Sequence, residues 1–356
     1  MKLKFYSLLL LIAMVATACD KGDDNENGKE KPVVETGTKG MFVVCEGNYY
    51  NGIDGSLSYL DYEKGTMSNN VFSTINGKSL GGTPNDMVEC GDNYFIPVTE
   101  ENLVWILDKD MKAVGSLQIT KPRRVTAGNN SVFVSSYDGR VYAYNVTTKA
   151  LTKSEVVGAY LEDIVFCQGF VYVCNAYNTD YTYNTNVVKL NISTLAKVKD
   201  ITVVCNPTQI ETDGKDVYVL SMGNYTDENS MLQRIGADDK VDNLCSATYF
   251  AMGSDKIYYI ASTYNENWES ISTYEVYDLT TAKSAKFIDG KEIAYPAGIG
   301  VDNATGKVFV ISYQLSEYGY GDYNSAGYVA EYDNTGAYKN KYTVGVCPKT
   351  TFFVNK

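Results

Sequence analysis

A short phrase recurs seven times between Thr83 and the C-terminus, and no other feature of the chain restricts its fold as much. The phrase is a Pro or small anchor residue, a polar pair, an apolar residue, a turn, then a strand alternating apolar and aromatic residues. It reads Pro84-Asn85-Asp86-Met87 ahead of Tyr94-Phe95-Ile96, and Pro122-Arg123-Arg124-Val125 ahead of Val132-Phe133-Val134. It returns as Leu161-Glu162-Asp163-Ile164 ahead of Val171-Tyr172-Val173, and as Pro207-Thr208-Gln209-Ile210 ahead of Val217-Tyr218-Val219. Weaker copies start at Ala247 and Pro296, and the last starts at Pro348 and runs into the C-terminus. Self-similarity at roughly 40–50 residues, built from short strands and tight turns, is the signature of a β-propeller.

Each unit reads as four strands, with turn residues such as Asn129-Asn130, Gln168-Gly169 and Asp213-Gly214 between them. No stretch after the leader has a sustained helical period, so the expected fold is all-β. The Pro348 copy supplies only the first strand of a unit. The Met41-Phe42-Val43-Val44-Cys45 run enters as a second strand, followed by Ser56-Leu57-Ser58-Tyr59-Leu60 as a third. Pairing these ends closes a ring and leaves no open edge. The prediction is a seven-bladed β-propeller over residues 40–356, one blade being shared between the two termini.

Residues 1–18 read as a signal peptide: Lys2 and Lys4, an apolar run from Leu8 to Val15, then Ala16-Thr17-Ala18 before Cys19. A cysteine directly after small residues looks like a bacterial lipobox, which makes Cys19 the expected lipidated residue; a plain cleaved leader is the alternative. Residues 19–39 are polar and acidic, without apolar anchors, and read as a flexible tether. That acidic stretch fits either a surface-export signal or a solvated linker. The expected location is the outer membrane, lipid-anchored and facing the cell exterior.

The formal net charge is −12, and loss of Lys2 and Lys4 with the leader takes it to −14. Nucleic acid and anionic lipid surfaces call for basic patches, so neither is an expected partner. The chain has no histidine, which removes Ser-His-Asp catalysis and His-ligated metals. Asp227-Glu228 and Asp238-Asp239 lack the alternating oxygen ligands of a calcium loop. We therefore expect no metal, no cofactor and no enzymatic activity. Beyond Cys19, seven cysteines remain without zinc-like spacing and read as mostly reduced, buried thiols.

Chain direction places the loops joining second to third strands on the same face as the blade-to-blade connections. The extra residues fall there: on blade one with Tyr49 and Tyr50, blade four with Tyr177, Tyr181 and Tyr183, and blade five with Tyr225. Blade six adds Tyr264 and Trp268, and blade seven Tyr318, Tyr320 and Tyr323, whereas blades two and three stay short. Tyr, Trp, Asn and Gly together make adaptable recognition surfaces, so these aromatics are candidate ligand contacts. The polar pairs after the anchors face the ring axis at that same end. Arg123 and Arg124, half of the chain's arginines, are candidates either for binding a ligand anion or for ion pairs with neighbouring acids.

Phe42-Val43-Val44 leading into Glu46-Gly47-Asn48, then Asn76-Gly77 with Leu80-Gly81, Pro122-Arg123 and the repeated Val-Tyr-Val strands resemble the YncE-like seven-bladed propellers, in the lipoprotein branch of Bacteroidota. The resemblance covers essentially residues 40–356. It implies a surface lipoprotein that captures a small molecule, cobalamin or another corrinoid first among them, and passes it to a TonB-dependent outer-membrane transporter. It carries over no binding residue. A glycan-binding or adhesion propeller is the alternative, and a propeller enzyme such as a lactonase or quinoprotein dehydrogenase ranks below both.

Overall fold

The structure, a computed structural model, describes residues 37–266 and 269–356. Its strands form seven four-stranded antiparallel sheets, and each sheet is one blade of a ring. Blade one joins the two ends of the chain: Pro348–Asn355 is innermost, followed by Thr38–Cys45, Ser56–Asp61 and Thr66–Ser68. Met41 lies opposite Phe353 and Phe42 opposite Phe352, and the closing strand keeps one register from Gly40 to Val44, with a shift at each end. Blades two to seven are continuous and begin near the Pro84, Pro122, Leu161, Pro207, Ala247 and Pro296 anchors. The fold expected from the repeat is the fold observed.

The second strand of each blade explains why the phrase is apolar–aromatic–apolar. A strand points successive side chains to opposite faces, and here both faces are covered by other blades. Val132 and Val134 pack back on blade two, while Phe133 between them packs forward on blade four. Val217 and Val219 likewise join blade four, and Tyr218 joins blade six. The forward-facing ring recurs as Phe42, Phe95, Phe133, Tyr172, Tyr218, Tyr258 and Phe309, all buried. The core is accordingly divided into seven apolar clusters, one at each junction between blades.

Polar latches tie the innermost strands together around the axis. Val125 N–H donates to Asp86, Ile210 N–H to Asp163 and Met252 N–H to Glu211, at 3.2, 3.0 and 2.9 Å. Phe166 N–H donates to Thr126 Oγ1 at 3.2 Å, and Thr350 Oγ1 to the Asn85 carbonyl at 3.0 Å. Except for the Thr350 hydroxyl, each donor is an inner-strand N–H, taken up by the neighbouring blade.

A helix, Val71–Asn76, connects blades one and two where no helical period is legible. Under two turns is too short for periodicity to register. Phe72 packs on Trp105 beneath it, and Asn76 clasps the Phe72 and Met111 carbonyls and the Ala113 N–H. Gly77 caps the helix at φ 62°. The Asn-Gly element of the resemblance is thus a structural clasp. All seven cysteines among the described residues are free thiols, and only Cys245 is not fully buried.

Candidate functional site

The polar pairs converge on an axial cavity of about 610 Å³ whose wall includes both members of every pair except Asn85. The cavity follows the inner strands from Arg123, Glu162, Thr248 and Lys349 at one end to Thr212, Met252 and Asn303 at the other. Its volume lies within the range of small-molecule sites, about 300–1,000 Å³.

Arg123 anchors a network at the mouth. Its Nε donates to Glu162 at 2.7 Å, its Nη1 donates to Asn85 Oδ1, and Glu46 stands 3.8 Å away. Glu162 also accepts from Tyr137 Oη at 2.5 Å, and the Arg123 guanidinium lies over the Tyr137 ring. Burial pushes Glu162 upward, but the Arg123 charge and the Tyr137 hydrogen bond outweigh it and hold the carboxyl below its usual range. Arg124 is held differently: its Nη1 donates to the Asn85 carbonyl at 2.6 Å and to Thr350 Oγ1 at 2.7 Å.

Three acids lie along the cavity, and all three are shifted upward by burial. Asp86 is pushed up to about 6 and Glu211 to about 7, with the neighbouring Asp163 carboxylate adding to both. Asp163 itself is raised, chiefly by burial. With their carboxyls raised to about 6 and 7 beside a solvent-sized cavity, Asp86 and Glu211 are chemically able to give and take protons there.

Around the mouth the expected rim tyrosines are joined by others into two chains of rings. Tyr160 stacks on Tyr181 at 5.1 Å and meets Tyr137 at 5.6 Å and Tyr177 at 6.4 Å. Tyr177 then meets Tyr183 at 5.4 Å, and Tyr183 meets Tyr225 at 6.0 Å. The second chain runs from Tyr264, hydrogen-bonded to Tyr295, through Tyr313 to Tyr323. Tyr249 lies in the cavity wall near both chains, and burial raises its phenol to about 12, with Tyr323 and Tyr225 adding to the rise.

The structure therefore brings together Tyr177, Tyr181, Tyr183, Tyr225, Tyr264 and Tyr323, and sets Arg123 and Arg124 below them. Tyr49 and Tyr50 form a separate pair on a short turn of blade one, with Tyr49 against Gly82. Tyr318 and Tyr320 stand out on the blade-seven loop and, among the described residues, stack on no ring. Trp268 and Cys19 lie outside the described residues. The sequence reading missed Tyr137, Tyr160, Tyr249, Tyr295 and Tyr313 as rim contacts. Tyr160 and Tyr295 come directly before an anchor, and Tyr313 ends a second strand, so position within the repeat could have found them.

No family model and no curated protein matches the chain. Solved structures match it over most of its length. A protein from Sulfolobus tokodaii described as a hypothetical selenium-binding protein aligns with TM-score 0.65 at 9% identity, over 89% of this chain and 94% of its own. A Bacteroides fragilis protein provisionally described as a 6-phosphogluconolactonase aligns with TM-score 0.60 at 12% identity, over 93% of this chain and 100% of its own. A protein from Lactobacillus plantarum aligns with TM-score 0.56 at 12% identity, over 90% and 100%. At such identities these likenesses establish the propeller fold alone. The expectation that the chain is not an enzyme is corrected here, because this architecture occurs in a protein assigned a lactonase role. Absence of histidine removes some reactions, whereas the axial acids leave others within reach.

Proposed function

We propose that this propeller is a capture module that seats a bulky, polar small molecule on its tyrosine-lined mouth. The observation that carries the reading is the chain of rings from Tyr137 to Tyr225, which crosses from blade three to blade five at the open end of the axial cavity. Exposed aromatics that support one another present rigid apolar area with hydroxyls at its margin. A corrinoid is the first candidate: its ring edges offer apolar surface and its periphery many amides. With no histidine in the chain, affinity would come from that periphery and would vary little with the axial group on cobalt. A neutral oligosaccharide is the second reading, favoured by the nearly parallel faces of Tyr160 and Tyr181, inclined by 27°. In the same proposal, a lipid on Cys19 holds the propeller at the outer membrane, where it delivers its ligand to a TonB-dependent transporter.

Calorimetry with cyanocobalamin, adenosylcobalamin and a neutral oligosaccharide tests this directly. The two corrinoids should bind with similar affinity, and Tyr183→Ala or Tyr225→Ala should weaken binding at least about tenfold, as loss of an aromatic hot spot does. No heat with either corrinoid would remove the first candidate. No heat with any of the three would remove the capture reading.

A further inference from the structure

We propose a second binding site, deeper in the axial cavity, for a small hydroxyl-bearing anion: a carboxylate or phosphate seated between Lys349 and Arg124. It stands apart from the rim reading and rests on the partnering of charges. Every acid facing the cavity is already engaged. Glu162 and Glu46 hold Arg123, while Asp86, Asp163 and Glu211 accept backbone N–H groups from neighbouring blades. Lys349 has neither a hydrogen-bond nor an ion-pair partner among the described residues, although it lines the cavity and is partly buried. Arg124 is the one arginine among the described residues without a carboxylate in ion-pair range. Its Nη1 is spent on neutral oxygens, and its buried Nε has no partner.

Two desolvated cations side by side, neither with a carboxylate in ion-pair range, are costly, and an anion between them would remove much of that cost. Burial, with the Arg124 and Arg123 charges adding to it, outweighs the more distant Glu46 and Glu162 carboxylates and lowers the Lys349 ammonium below its usual range. Beyond the engaged acids, the wall offers neutral polar groups. Thr208 and Thr351 present hydroxyls without a protein partner among the described residues, and Thr248 and Tyr249 complete the surround. Such a wall suits hydroxyls on the body of the ligand, and the cavity of about 610 Å³ admits a molecule of monosaccharide size.

The test uses D-gluconate, D-glucose 6-phosphate and neutral D-glucose, with calorimetry and thermal melting on the full propeller. At least one of the two anions should bind and raise the melting temperature, glucose should do neither, and added salt should weaken binding. Lys349→Met should weaken it at least about tenfold, the loss expected for one charge-assisted contact. Lys349→Arg should retain binding, which separates loss of charge from loss of fold. Whichever anion binds identifies the headgroup as carboxylate or phosphate. Tyr183→Ala and Tyr225→Ala should leave this binding unchanged, so failure here and failure at the rim are distinguishable. Binding of neither anion, equal binding by Lys349→Met, or equal binding of glucose would overturn the proposal.

Discussion

The axial acids show how one residue type serves structure and titration together. Asp86 and Glu211 each accept an N–H from the next blade, yet burial raises both carboxyls, so the folded protein holds their protons more tightly than the unfolded chain does. The stability they contribute is fully present below the unfolded values, near pH 4, and is lost as pH rises through about 6 and 7. An Asp86→Asn, Glu211→Gln protein keeps one acceptor oxygen for each inter-blade N–H, gives up the bonds from Met87 N–H and Gln209 Nε2, and removes both titrations. Its melting temperature should fall less between pH 5 and pH 8 than that of the parent. The difference should amount to a few kcal/mol at most, since one pKa unit corresponds to about 1.4 kcal/mol. Parallel pH profiles for the two proteins would show that these acids do not govern the dependence. The polar pairs were legible from the repeat, and so was their convergence on the axis. The upward shifts of Asp86, Asp163 and Glu211 were not, because burial by the six other blades is a property of the closed ring. Arg123 and Arg124 looked equivalent in the sequence, and only the structure shows one paired with carboxylates and the other not.

At the scale of the strand, the apolar–aromatic–apolar run is the physical unit that builds the ring. Its outer residues face the preceding blade and its central ring the following one, as Val132, Val134 and Phe133 illustrate. This alternation is why the strands were readable: both faces are buried, so every position is constrained. The short helix was not readable, because its register is fixed by Phe72 against Trp105 and by Asn76 clasping a distant loop. The rim tyrosines were half readable. Composition of the long loops pointed to Tyr181 and Tyr225, whereas Tyr160 and Tyr295 sit outside those loops and reach the mouth through the path of the chain. Phe133→Ala or Phe309→Ala should cost about 3–5 kcal/mol in urea unfolding, the range for emptying a buried aromatic site. Tyr318→Ala, on an exposed loop tip, should change stability by less than about 0.5 kcal/mol. Equal losses at Phe133 and Tyr318 would contradict the forward-facing role of the central ring.

For the whole molecule, closure is the decisive feature, because each blade rests on two neighbours and none has a core of its own. Pro348–Asn355 joins blade one to the ring, pairing with Thr38–Cys45, placing Val354 in the cluster shared with blade two and packing Phe353 against the cluster shared with blade seven. Its Thr350 also latches onto the Asn85 carbonyl of blade two. Removing residues 347–356 therefore does more than shorten a terminus. It strips the inner strand from one blade, opens two of the seven apolar clusters and leaves Thr38–Cys45 as an unpaired edge, a template for association with other chains. It also takes Lys349 and Thr350 out of the axial wall. The truncated protein should melt well below the full-length one and should elute from size exclusion as aggregates. Adding a synthetic peptide of residues 347–356 should restore part of the melting temperature, since the strand needs only its register with Met41 and Phe42 to dock. A truncated chain that stays monomeric and melts like the parent would mean that the ring holds without its closing strand.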